Sequence, residues 1–177
     1  MSLFCKVTTA WMFCGTLMLT GVVDANDAAK FVGTWKIVRY QDDGKDRLSR
    51  LGAGPAKKDG KARVAYLVFT ADECYIIRGD GRREMASGLA NAGFRKFTLA
   101  SGTEPQSIDL DGFAGRNNEK TKTYPGIYRI EGSRLVICYC EQGARRPTEF
   151  QSDGANNLLE AERISKEPLP IPNKQAP

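Results

Sequence analysis

The sequence predicts an all-β protein, a single eight-stranded up-and-down antiparallel barrel behind an N-terminal leader. Three observations carry that prediction. About eight short runs of β-branched and aromatic residues follow one another along the chain. Turn chemistry separates them, with Gly79-Asp80-Gly81, Asp111-Gly112 and Glu131-Gly132-Ser133 as the clearest cases. No stretch reads as a long helix, so many short strands joined by tight turns must close on themselves to bury their edges.

The leader comes first. Residues 1–25 read as a secretory signal, with Lys6 as the positive start and an apolar run from Val7 to Val23. Val23-Asp24-Ala25 supplies small residues for cleavage after Ala25. Thr8, Thr9, Gly15, Thr16 and Thr20 interrupt the run, so it makes a poor transmembrane helix. Cys14 follows Trp11-Met12-Phe13, which is too bulky for lipoprotein processing. The expected location is therefore secreted or periplasmic, with no integral membrane span after cleavage. An uncleaved signal holding the protein at the membrane is the alternative.

About 150 residues then remain, one domain's worth of chain. Asn26 to Val32 reads as a short helical turn. Strand one runs from Thr34 to Tyr40, and a polar, Gly-rich loop spans Gln41 to Lys61. Strands two and three run over Ala62–Thr70 and Cys74–Arg78. Strand four covers Arg83–Ala90, with Phe94–Leu99 either extending it or standing apart. Strands five to eight follow at Ser107–Leu110, Thr121–Ile130, Arg134–Glu141 and Leu158–Ile164. The barrel domain is thus 26–165. Residues 166–177 carry Pro168, Pro170, Pro172 and Pro177 and form a mobile tail that cannot extend a sheet.

Composition narrows the function. The net charge of +5 is spread out, with one cluster at Lys57-Lys58-Asp59-Gly60-Lys61. A nucleic-acid reader needs a denser basic face with interleaved aromatics, so nucleic acid is not an expected partner. There is no histidine in the chain. That removes His-activated nucleophiles and most zinc sites, and leaves only Tyr, Lys or carboxylate groups for any enzyme. Asp109 and Asp111 share a strand face, yet Phe113 stands where a calcium loop needs an oxygen ligand. Gly60-Lys61 lacks the other residues of a phosphate loop. No enzyme activity, cofactor or metal is expected.

Cys5 and Cys14 leave with the signal, so Cys74, Cys138 and Cys140 remain. They permit one disulfide, Cys74 with Cys138 or Cys140, or else are three small apolar core residues. The expected barrel lining is Tyr66, Val68, Tyr75, Ile77, Tyr128 and Tyr139. In Arg146-Pro147-Thr148-Glu149-Phe150, the proline ends a strand, Arg146 and Glu149 pair across the bend, and Phe150 plugs the barrel end. Trp35 in the first strand and Arg163 in the last become neighbours on closure, so the guanidinium of Arg163, or failing that of Arg129, is expected over the indole.

Gly33-Thr34-Trp35 together with Arg163 resembles the lipocalin signature. With Ile108-Asp109-Leu110, Gly126-Ile127-Tyr128, Leu135-Val136-Ile137-Cys138 and Arg146-Pro147-Thr148-Glu149-Phe150, the chain is similar to a secreted, planctomycete-type lipocalin-like domain family. The resemblance implies an eight-stranded barrel or half-barrel in an exported protein and no established activity. Cys74, Cys140, Glu160 and Glu162 depart from the pattern. The expected function is binding of a small, largely apolar ligand in the barrel interior, under the 41–61 loop as a lid. The alternative is a filled barrel serving as a protein-interaction or inhibitor module of the cell envelope, with an exported protein as partner.

Overall fold

A computed structural model describes residues 25–54, 63–78, 83–84, 94–100, 102–114, 120–141 and 143–170. A short helix, α1 (Ala25–Phe31), precedes the sheet. The strands are β1 (Gly33–Asp42), β2 (Lys45–Asp46), β3 (Tyr66–Phe69), β4 (Cys74–Ile77), β5 (Arg83–Glu84), β6 (Phe94–Ala100), β7 (Gln106–Ala114), β8 (Lys120–Glu131), β9 (Arg134–Cys140) and β10 (Asn156–Ser165). They form one antiparallel sheet in the order β5-β4-β3-β1-β10-β9-β8-β7-β6, with β2 attached to the end of β1. Successive wall strands pair except β4 and β6, and β1 pairs with β10, so the first and last long strands join in the wall. On the other side β4 lies alongside β6, where the Cys74 thiol donates to the Lys96 carbonyl at 3.7 Å. The result is a nearly closed eight-stranded up-and-down antiparallel barrel, with β2 and β5 as small additions.

The expected strands are found, with one shift. The fourth wall strand is β6 rather than the 83–90 run, of which Arg83–Glu84 is β5 and 85–90 lies outside the described residues. The 57–61 basic cluster and the Gly79-Asp80-Gly81 turn also lie outside them. Glu131 and Arg134 face each other across a two-residue turn, the tightest hairpin connection.

Two glycines are required by close approach. Gly33 opens β1 at φ +134°, and a Cβ there would meet the Ser165 carbonyl at 2.3 Å. Gly126 lets β8 lie against β9, where a Cβ would meet the Cys138 carbonyl at 2.7 Å. Strand pairing, not turn formation, demands glycine at both.

The interior belongs to one cluster. Trp35, Ile37, Leu67, Phe69, Cys74, Ile76, Ile108, Leu110, Leu135, Ile137 and Leu159 are among its buried members. Their alternation along each strand places the intervening residues outside. Two smaller clusters sit on that outer face. Ile127, Val136, Cys138 and Leu158 lie under Phe150, and Val68, Tyr75 and Ile77 lie with Tyr66 under Leu169. Both outer clusters are covered by returning chain, which explains why several strands are apolar on both faces. Residues 166–170 therefore lie against the barrel wall, while 171–177 of the expected tail lie outside the described residues. The Tyr75 hydroxyl donates to the Leu169 carbonyl at 2.9 Å, and the Thr34 hydroxyl bonds both the Glu167 carbonyl and the Leu169 amide.

Glu160 and Glu162 also fall on the outer face, so neither intrudes on the interior. Glu160 is held between two arginines, accepting from Arg39 Nη1 at 2.9 Å and Arg134 Nη2 at 2.5 Å. Burial pushes this carboxyl up, but the two guanidinium groups outweigh burial and hold it below its ordinary value.

Two outcomes follow from this packing. Gly126→Ala lowers the unfolding free energy in guanidinium titration by about 1–3 kcal/mol, because the new Cβ would press on the Cys138 carbonyl and on Cα and Cβ of Tyr139, which β9 cannot move cheaply. A depressed carboxyl pKa gives stability that is present above the unfolded value and lost as pH falls through it to the folded value. Glu160→Gln is therefore less stable than wild type at neutral pH, and the gap narrows to nothing in strong acid, as read from melting midpoints across the acid range.

Candidate functional site

The first-strand tryptophan and last-strand arginine meet at one end of the barrel. β1–β10 pairing sets Trp35 opposite Arg163, and the Arg163 guanidinium carbon lies 4.0 Å from the indole centroid. The same two side chains cap the C-terminal end of α1. Trp35 Nε1 donates to the Phe31 carbonyl at 2.8 Å, Arg163 Nη1 donates to the Val32 carbonyl at 2.8 Å, and Nη2 donates to the Lys30 carbonyl. A helix leaves its last carbonyls without intrahelical partners, and a cation there also complements the helix dipole. Trp35 and Arg163 meet both needs while fixing α1 across the barrel mouth.

α1 in turn plugs the barrel. The Phe31 ring enters the interior and packs edge-on against Phe69 at 4.9 Å and Tyr128 at 4.8 Å, with Phe97 at 5.7 Å. Phe31 was read in the sequence only as part of a lead-in turn. An apolar residue closing a short helix directly before Gly33-Thr34-Trp35 was the available signal.

The opposite end is closed by the segment after β1. A 3-10 turn at Leu48–Leu51 brings Leu51 and Ala53 into the main core. Beneath it lie Tyr40, Tyr124 and Tyr139. Tyr40 donates to Asn157 Oδ1 at 3.1 Å, and Tyr124 packs edge-on to Tyr139 with centroids 6.4 Å apart. Burial pushes the Tyr40 hydroxyl up to about 12 and raises Tyr139 as well. The 41–61 loop does act as a cover, in its described part, but over side chains of the barrel itself.

The expected lining residues divide. Tyr128 and Tyr139 point inward, where they are part of the filled core. Tyr66, Val68, Tyr75 and Ile77 are on the outer face, under the tail. The parity of β3 and β4 is opposite to the expected one, with Leu67, Phe69, Cys74 and Ile76 inside.

The Arg146 segment is also rearranged. Arg146 does not pair with Glu149. It reaches across β8 and β7, donating to the Gly126 carbonyl at 2.5 Å, the Ile108 carbonyl at 2.9 Å and Asp109 Oδ1 at 2.6 Å. Pro147 is buried beside it. Glu149 is exposed and accepts from Gln151, while Phe150 covers the outer Ile127 cluster instead of plugging an end. The Arg129 guanidinium lies over Phe150, 4.9 Å from its centroid, rather than over Trp35. Asp109 is thus spent on Arg146, and Asp111 accepts from Thr123. Among the described residues no group of acidic or thiol side chains has a metal-binding arrangement.

The three thiols are free. Cys74 points into the barrel, while Cys138 and Cys140 point out, so the wall itself separates the pairs proposed for a disulfide. Cys138 donates to the Gln151 carbonyl at 3.2 Å and Cys140 to the Pro125 carbonyl at 3.3 Å.

A concave site lies outside the plug, among the described residues. A recess of about 810 Å³, open to solvent, is lined by Ala29, Lys30 and Val32 of the α1 segment, Ile130 and Gly132 at the β8–β9 turn, and Arg163 and Lys166. Its wall is held by the Arg163 amide, which donates to the Ser133 carbonyl at 2.8 Å. No helix among the described residues is long and apolar enough to cross a membrane.

No family model and no curated protein matches this chain. Among solved structures it is similar to the crystal structure of the wild-type fluorescent protein UnaG, with 17% identity over 76% of this chain and 98% of that chain and a TM-score of 0.36.

The placement of the thiols makes a direct prediction. Burial pushes the Cys138 thiol up to about 11 and Cys74 higher still, so little reactive thiolate forms near neutral pH. A thiol-specific chromogenic reagent should react slowly with the native protein. In guanidinium chloride without reductant, it should count Cys74, Cys138 and Cys140 as free.

Proposed function

We propose that this chain is an exported, non-enzymatic binding protein of the secreted, planctomycete-type lipocalin-like kind. It takes a small, largely apolar molecule at the α1 end of the barrel. The observation that carries this is the recess of about 810 Å³ between α1, the β8–β9 turn and Arg163. Its size falls in the range of small-molecule sites. Ala29, Val32 and Ile130 supply an apolar floor, and the Arg163 hydrogen bonds to α1 hold that floor rigid. Export rests on the leader at 1–25, and the lack of enzyme chemistry rests on a chain without histidine. The binding site is moved from the interior to the end because Phe31, Phe69, Phe97 and Tyr128 already occupy the interior.

That filled interior also favours a second reading, a protein-interaction or inhibitor module whose exported partner contacts the outer surface. Native mass spectrometry on protein secreted by its own host separates the two. A bound small mass removed by organic solvent supports the ligand reading, and a bare chain favours the interaction module. In solution, the neutral apolar probe N-phenyl-1-naphthylamine should bind saturably. Ala29→Trp, an exposed helical change that fills the recess, should weaken it at least tenfold without moving the melting temperature.

A further inference from the structure

The recess has a polarity that an apolar ligand alone does not use. Three of its lining residues are cationic, Lys30, Arg163 and Lys166, and its described lining contains no carboxylate. The charge on Arg163 is the best defined of the three. Its guanidinium faces the Trp35 ring and the carbonyls of Lys30 and Val32, and among the described residues it forms no ion pair with an acid. Arg39, Arg50, Arg134 and Arg146 all pair with carboxylates elsewhere on the barrel. Among the described residues Arg163 is therefore a half-buried cation met by dipoles and a π-face, at the edge of an apolar hollow. An uncompensated charge beside low-dielectric surface attracts an anion more strongly than one on open surface.

The apolar and cationic parts come from the same few segments. Ala29 lies on α1, Val32 directly follows it and Ile130 lies near the end of β8. Lys30 stands on the same helix, and Lys166 follows β10 directly after Ser165. An acyl chain lying on the apolar residues would leave its head within reach of the Lys30, Lys166 and Arg163 side chains that line the same recess.

We propose that the ligand of this recess is an anionic amphiphile. A single apolar chain would lie on Ala29, Val32 and Ile130, and an acidic head, carboxylate or phosphate, would sit among Lys30, Lys166 and Arg163. This rests on the reading of the recess as the binding site and specifies the class of molecule it takes.

The test uses the full mature chain and three probes with the same twelve-carbon tail: laurate, dodecyl phosphate and neutral dodecanol, each below its aggregation limit, followed by titration calorimetry. Laurate and dodecyl phosphate should bind at least tenfold more tightly than dodecanol, and raising the salt concentration should erode that preference. Lys30→Gln combined with Lys166→Gln should bring the acidic probes to the dodecanol level while leaving dodecanol binding unchanged. Both side chains are exposed and outside the core, and Lys30→Arg combined with Lys166→Arg, which keeps both charges, should retain the acidic preference. The relative affinities of laurate and dodecyl phosphate separate a carboxylate from a phosphate preference. Equal binding of all three probes overturns the anionic class and leaves the recess as an apolar site. Binding of none overturns the recess itself, and with it the broader reading. An acidic preference that survives the double lysine variant and high salt also overturns the proposal.

Discussion

One arrangement holds the rest of this molecule in place: Arg163 stacked on Trp35, with both side chains donating into the last carbonyls of α1. Each group solves a problem for another. The indole N–H is buried and needs an acceptor, which the Phe31 carbonyl supplies. The carbonyls of Lys30 and Val32 end a helix and need donors, which the planar guanidinium supplies from one fork. The guanidinium in turn needs a counterpart to its charge, and the indole face offers one. A lysine could not replace it, because a single ammonium cannot both stack and bridge two carbonyls. With α1 so fixed, Phe31 is committed to the barrel interior, and the interior is committed to being full.

A full interior changes what the outer face must do. Eight strands enclose only enough volume for side chains or one small ligand, and here aromatic rings use it. The remaining apolar residues of β3, β4, β8, β9 and β10 therefore point outward and must be covered. The chain covers them itself, with Phe150 over one patch and Leu169 over the other. Arg146 pins the first of these straps by bonding the carbonyls of two neighbouring wall strands and Asp109. The tail is pinned through Thr34 and Tyr75. Both straps act as a thin second layer on a one-sheet barrel.

How much of this was legible follows from the same geometry. The strands, their order and the Trp35–Arg163 contact could be read, because turn residues and β-rich runs report local structure and closure brings first and last strands together. The parity of β3 and β4 could not. Tyr66-Leu67-Val68-Phe69 and Cys74-Tyr75-Ile76-Ile77 are apolar at every position, so a period of two leaves no trace when both faces are buried. The lining residues Tyr66, Val68, Tyr75 and Ile77 were misplaced for that reason. Of the two readings of the cysteines, the three buried free thiols are found rather than a bond from Cys74 to Cys138 or Cys140, because Cys74 faces inward and the other two outward. Arg146 chose carbonyls on β7 and β8 over nearby Glu149, a long-range choice with no local sequence pattern to announce it. The recess was illegible because Lys30, Ile130 and Lys166 come from three separated segments.

The interior also decides where electrostatic recognition can occur. Its described polar groups include tyrosine hydroxyls, the Asn157 amide and the Cys74 thiol, and burial raises Tyr40, Tyr139 and Cys74 further from ionisation. These described groups are thus uncharged throughout the physiological range. Charges on the wall include compensated sets such as Arg39–Glu160–Arg134 and Arg146–Asp109. The α1 end differs because folding placed a guanidinium there to serve carbonyls, not a carboxylate. A cation recruited to cap a helix therefore leaves a positive field over an apolar hollow, and recognition of an acid at that end would come from the same contacts that close the barrel.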